Sequence, residues 1–216
     1  GAFPLAALLG VWRTMMTAFL RMQHPIEVRV AVDENNLDVW DAARIHFGAD
    51  TPMKATTMEA ALEAAAGSDR VLAALPAPSS EKDWWRSLDG QGLRVLARLP
   101  FFTCPTPSRT VYIVAPAGPD PSGDDISWLH LEGRTEDLDR ASAEALSKAG
   151  LELSPVAAYN PPDRNDWEQR LVAVNGYLAP SEDAFDKLRA AAMSHDVPVQ
   201  FVGCFARPFD EIGEPK

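Results

Sequence analysis

The run Ser108-Arg109-Thr110 sets a guanidinium beside a hydroxyl where the segment 110–115 begins to read as a strand. A guanidinium grips a carboxylate through two parallel N–H donors. A hydroxyl next to it can donate or accept one more hydrogen bond. Arg109 and Thr110 therefore suit the lining of an anion pocket, although Arg109 serves equally well in a pair with a surface acid. Other chemistry is sparse. His24, His46, His130 and His195 share no metal-ligand spacing, so we read them as structural or exposed and expect no metal. Cys104 and Cys204 lie far apart, outside any C-x-x-C, and read as core thiols of a reducing compartment. No nucleophile elbow, phosphate loop, dinucleotide fingerprint or zincin motif occurs, and no cofactor is expected. Trp84-Trp85 reads mainly as core, with a cover over the end of a sheet as the alternative.

The whole chain narrows the field further. Its 216 residues fit one large domain or two small ones. The formal charge is −11 and the isoelectric point about 4.8. That excludes a phosphate-tracking nucleic-acid binder, which needs clustered Lys and Arg. The charge is uneven. Residues 1–25 carry two arginines and no acid, while residues 102–216 carry nineteen acids against ten bases. The C-terminal half thus repels anionic surfaces. The apolar stretch Ala2–Leu9 has no basic leader and is cut by Arg13, so neither a signal peptide nor a membrane span is expected. The expected location is cytoplasmic. Gly1 reads as a tag remnant, with the natural protein starting upstream.

Those residues need elements to position them. In 4–23, Leu5, Leu8, Trp12, Met15, Phe19 and Met22 recur at helical spacing. Leu9, Val11, Met16 and Leu20 make the same helix oily on further sides, so it needs more than one partner. The rest of the chain, a second subunit or upstream helices would serve. His24-Pro25 ends it. Glu27–Val32 alternates as a strand, and 35–47 reads as a helix. A short strand at 53–56, a helix from Thr57 to Gly67 and a buried strand at 70–75 follow, then a helical turn at 83–88 and strands at 94–99 and 110–115. This alternation predicts a small α/β sheet with some parallel pairing.

Residues 116–125, PAGPDPSGDD, form a turn-rich linker and the best domain boundary. Beyond it the order is strand 126–131, helix 138–149, strand 151–159, strand 170–178, helix 181–194 and strand 197–205. That is β-α-β-β-α-β, the ferredoxin-like split unit. The expected fold is α/β (α+β): an N-terminal helix, a small α/β lobe, then the ferredoxin-like domain.

Three stretches resemble the bacterial chorismate mutase and prephenate dehydratase proteins, most nearly a divergent branch that bears the mutase name. Val11-Trp12-Arg13-Thr14-Met15-Met16-Thr17-Ala18 resembles the last helix of the helical mutase domain. Asp69–Ala77 with Arg94–Pro116 resembles the dehydratase's periplasmic-binding-like lobe. Residues 126–209 resemble an ACT-type regulatory domain. The resemblance implies domains at 1–25, 26–118 and 126–209.

It also implies roles. Gln23 matches the mutase residue that meets the ether oxygen of chorismate, but Phe19 stands where a small polar residue is usual, and the cationic mutase residues of the first two helices are missing. Thr110 takes the Thr of the dehydratase Thr-Arg-Phe motif, while Val111 replaces its Arg, and Arg109 points to the other strand face. The Glu-Asn-Ser of the dehydratases becomes Ala77-Pro78-Ser79. The ACT motif Glu-Ser-Arg-Pro aligns with Ala157-Ala158-Tyr159-Asn160, and the glycine of the first ACT loop is Gly133. Gly133, Tyr159 and Asn160 would then form an effector site, unless that loop is only a turn.

Two functions follow from the resemblance. One is a binding and regulatory part of a mutase-type protein of aromatic amino-acid biosynthesis, with an aromatic amino acid, chorismate or prephenate as ligand. The other is a working prephenate dehydratase. A fold-level relic with no small-molecule site is a third reading. Loss of the clamping Arg at Val111 leads us to expect no phenylpyruvate from this chain alone. The oily first helix and the ACT-type resemblance predict a homodimer.

Overall fold

The computed structural model describes residues 5–34, 36–101 and 110–209. Arg109 and Cys104 of the sequence reading lie outside these residues. The chain divides into two compact units. One comprises 1–77, 98–116 and 208–216, the other 78–97 and 117–207.

The first unit opens with helix α1 (Leu5–Gln23). Then come strand β1 (Glu27–Ala31), helix α2 (Asp38–Phe47), strand β2 (Met53–Thr56), helix α3 (Met58–Ala66) and strand β3 (Val71–Pro76). Strand β4 (Arg94–Leu99) has its last two residues here, and β5 (Val111–Ala115) completes the unit. The sheet order is β2-β1-β3-β5. β1 pairs in parallel with β2 and β3, as the strand-helix-strand rhythm predicts, and β5 runs antiparallel to β3.

Local chemistry sets the element ends. Helix α2 starts three residues later than its apolar spacing suggests, because Asn36 folds the chain ahead of it. The buried Asn36 amide accepts from the Asp33 backbone N–H at 2.5 Å and donates to the Asp33 carboxylate at 2.9 Å. Thr57 caps α3 by accepting from Ala60 N–H at 3.3 Å. Helices α2 and α3 cover β1, β3 and β5, with Val39, Ala43, Ala61, Leu62 and Ala65 buried beneath them. Helix α1 differs. Trp12 is 60% exposed, Phe19 54% and Met22 83%.

The second unit holds two 3-10 turns (Trp84–Ser87 and Asp89–Gln91), the first four residues of β4, then β6 (Asp125–Arg134), α4 (Thr135–Glu144), β7 (Ser154–Tyr159), β8 (Trp167–Asn175), α5 (Asp183–Met193) and β9 (Val199–Ala206). The order β9-β6-β8-β7, antiparallel throughout, is the ferredoxin-like arrangement. Leu129, Leu131, Val172, Val174 and Phe201 pack with Leu138, Phe185 and Leu188 of the two helices in one core. The pre-β6 linker is closed by the buried Asp125 carboxylate, which accepts from the N–H groups of Ser122 and Gly123 at 2.9 and 3.1 Å.

Trp84, Trp85 and Leu88 are buried in this unit. Trp84 lies 6.4 Å from Trp128, and Trp85 meets His130 edge-on at 5.1 Å, ring centre to ring centre. β4 runs parallel to β9 at Val95–Gly203, where Gly203 has φ +154°. A Cβ there would stand 2.3 Å from the Val95 carbonyl oxygen.

Candidate functional site

Thr110 sits at the entry of β5 and is buried. Strand alternation turns Thr110 and Tyr112 to one face and Val111 to the other. The adjacent strand β4 brings Arg98 to the Thr110 face. Its Nη2 faces Thr110 Oγ1 at 3.5 Å, the outer limit of a hydrogen bond. Its Nη1 is buried and makes no hydrogen bond among the described residues. Tyr112 is buried, which pushes its phenol up, while the Arg98 guanidinium pulls the other way. The phenol therefore keeps its proton at neutral pH.

The cluster is one guanidinium with donors to spare and two hydroxyls in a mostly desolvated setting. Arg98 forms no ion pair among the described residues, although the protein is strongly acidic. A carboxylate fits such a group best, since a charge held from water without a partner is unfavourable. Sequence reading singled out Thr110 and did not single out Arg98. Arg98 lies inside the segment read as a strand, but only the pairing of β4 with β5 sets it beside Thr110.

The other candidates sit elsewhere. Gln23 is exposed at the end of α1. Gly133, Tyr159 and Asn160 belong to the second unit. Gly133 on β6 pairs with Glu168 of β8, and Tyr159 on β7 pairs with Gln169, the next residue of β8. Asn160 follows Tyr159 in an exposed loop. The structure thus brings these three to one end of the sheet. The Tyr159 ring already carries the Arg86 guanidinium, 3.6 Å from its centre. Arg86 Nε donates to Gln169 at 2.6 Å, and a further nitrogen pairs with Asp83.

Histidines and thiol are largely structural. Burial lowers the His130 pKa, against the hydrogen bond of its Nδ1 to Gln200 at 3.1 Å. His195 Nε2 meets Glu144 at 2.5 Å. Cys204 is buried, and burial pushes its thiol up. Among the described residues no group of His, Cys, Asp and Glu is placed to hold a metal. No described helix is long and apolar enough to cross a membrane.

Comparison with known proteins rests on structure. No family model and no curated protein matches the sequence. A prephenate dehydratase from Streptococcus mutans superposes with TM-score 0.62 at 10% identity, covering 86% of this chain and 99% of that one. The fold is that of the prephenate dehydratases. A second, from Arthrobacter aurescens in complex with L-Phe, gives 0.59 at 12% identity, covering 85% and 90%. GqqA, described as a novel type of quorum quenching acylase, gives 0.59 at 17%, covering 83% and 94%. The dehydratase fold thus carries more than one named activity, and the site has to decide between them.

Proposed function

We propose that the first unit binds an aromatic dicarboxylate of the prephenate type on Arg98 and promotes its decarboxylative dehydration, the prephenate dehydratase reaction. The observation that carries this is the Arg98 guanidinium, partly unpartnered, beside the Thr110 hydroxyl. In that reaction the bond from the ring to its carboxylate breaks and CO2 leaves. The electron pair enters the ring, and the C–O bond opposite breaks. The departing hydroxyl takes a proton and leaves as water. Thr110 and Tyr112 are the groups placed to donate along that path, and Arg98 holds the carboxylate that stays. Both hydroxyls are neutral donors at pH 7.

The acylase activity named for GqqA would need an activated nucleophile. Hydrogen bonds join no serine or cysteine to a histidine among the described residues. This supports the dehydratase reading over an acyl-transfer one.

A second reading is binding and regulation without turnover. It is favoured by Val111, which is fully buried and leaves Arg98 as the one cation at Thr110 among the described residues. In this reading Gly133, Tyr159 and Asn160 form the effector site of an ACT-type domain. The structural neighbour that holds L-Phe supports an amino-acid ligand for either reading. For assembly we propose a homodimer, because α1 leaves Leu8, Trp12, Met15, Phe19 and Met22 exposed along one stripe.

A continuous assay of phenylpyruvate from prephenate tests the proposal. Turnover is expected that falls at least about tenfold in Arg98→Gln, the loss of a charge-assisted hydrogen bond. A similar loss in Thr110→Ala would place the hydroxyl in the reaction. Prephenate binding without product would select the second reading. Neither binding nor turnover would end both.

A further inference from the structure

We propose that a pocket in the first unit, separate from the Arg98 site, binds a small monocarboxylate with an apolar body. The pocket has a volume of about 520 Å³, and Arg13, Asp41, Ile45, His46 and Leu99 are among its lining residues. That volume is in the usual range for small-molecule sites, roughly 300–1,000 Å³. Leu99 and Arg98 are consecutive on β4 and point to opposite faces, so the two sites do not share a wall there.

Two polar groups in the pocket have no hydrogen-bond or ion-pair partner among the described residues. Arg13 is half-buried, and burial lowers its pKa. It makes no ion pair among the described residues, and its guanidinium lies 5.3 Å from the centre of the Phe101 ring. His46 Nδ1 is buried and has no hydrogen bond among the described residues. Burial, then the nearby Arg13 charge, lowers the His46 pKa to about 4. The ring is therefore neutral at pH 7 and offers one hydrogen bond without a second positive charge. It stands edge-on to Phe101 at 5.1 Å.

These features define the ligand by its chemistry. Arg13 matches one carboxylate, and the neutral His46 ring lines the pocket beside it without adding a second charge. Ile45, Leu99 and Pro100 offer an apolar wall. Asp38, Asp41 and Arg44 of α2 also line the pocket, so with Arg13 its charges balance and a second negative charge on the ligand gains no further net attraction. A monocarboxylate therefore fits better than a dicarboxylate or a phosphate. It could come from a simple carboxylic acid or from an α-amino acid whose ammonium faces Asp41.

The test uses the full chain and two probes that differ only in the ammonium group, 4-methylpentanoate and L-leucine. The readout is the His46 imidazole resonance, followed by NMR during titration and assigned with His46→Gln. Either probe should shift His46 saturably, and the tighter of the two identifies the source. Arg13→Gln should weaken binding at least about tenfold, and Arg98→Gln should leave it unchanged. Ala42→Trp, which fills the pocket and removes no charge, should also abolish the shift. Circular dichroism confirms that each variant is folded. No His46 shift at about 10 mM of either probe, ten times the weak millimolar end of the affinity scale, overturns the proposal. So does binding that survives Arg13→Gln and disappears with Arg98→Gln. Prephenate turnover is scored separately, so the two proposals fail independently.

Discussion

The two units treat their arginines in opposite ways. In the second unit Arg86, Arg94, Arg134, Arg140, Arg170, Arg189 and Arg207 each pair with an acid, and Arg164 stacks on Trp167. In the first unit Arg29 pairs with Glu27, and no other ion pair occurs among the described residues. Arg13 and Arg98 stay half-buried and uncompensated in a chain of net charge −11. Apolar surface divides likewise. The second unit closes its helices over a single core, while α1 of the first leaves its stripe in water. A unit whose arginines are all partnered and whose helices close over one core reads as a scaffold. A unit with unmatched cations and an uncovered helix reads as the part that meets ligands and partners.

The largest effect should come from breaking the scaffold. Gly203→Ala drives a methyl into the Val95 backbone at a backbone angle that L-residues avoid. Neither strand can yield cheaply, so a loss of about 3 kcal/mol or more is expected in urea unfolding of the second unit. A loss under about 1 kcal/mol would mean that the β4–β9 contact is not tight in solution.

Charging the exposed stripe of α1 is next. Trp12→Glu with Phe19→Glu puts two charges on the exposed stripe of α1. Light scattering should report about twice 23.5 kDa for the parent chain and a monomer for the variant. The fold should survive, because the stripe is exposed within one chain. A parent chain that is monomeric at micromolar concentration would remove the partner from the comparison.

Much of this division was legible in the sequence. The split β-α-β-β-α-β order of the second unit could be read because each element carries its own period and turn residues. The oily circumference of α1 signalled an uncovered helix for the same local reason. Arg98 was not legible, since its place beside Thr110 depends on a pairing between strands whose intervening residues run from 100 to 110. The pocket at Arg13 was not legible either. It needs α1, α2 and the end of β4 together, and His46 by itself looks like any core histidine. Asn36 hid the start of α2, because its hydrogen bonds to Asp33 outrank the apolar spacing.

A smaller effect tests the acid side of the second unit. Glu144 accepts from Lys148, His195 and Ser194, and these bonds, Lys148 first, hold its pKa at about 2 against an ordinary 4.5. A carboxylate whose folded pKa is depressed stabilises the fold above the unfolded value. That contribution is lost as pH falls from about 4.5 through about 2. Glu144→Gln should therefore flatten the acid limb of the stability profile in that window and leave the profile near neutral pH parallel to that of the parent. Equal acid limbs in the two chains would show that the bonds to Glu144 do not persist in solution.

The smallest effect belongs to the paired arginines at the surface. Arg134 and Asp166 stand 3.0 Å apart, and both side chains are more than half exposed. Water screens such a pair, and holding two long side chains in one geometry costs entropy. A double-mutant cycle with Arg134→Ala and Asp166→Ala should give a coupling of about 0–1 kcal/mol. If it does, the ion pairs of the second unit act chiefly by removing free cations from the surface, not by holding the fold together. That sharpens the contrast with Arg98, which no acid among the described residues pairs with and whose guanidinium is already half removed from water. A coupling well above 1 kcal/mol would make the pairs structural. The absence of such pairs in the first unit would then mark lower stability in place of readiness to bind, and urea unfolding should find the first unit opening before the second.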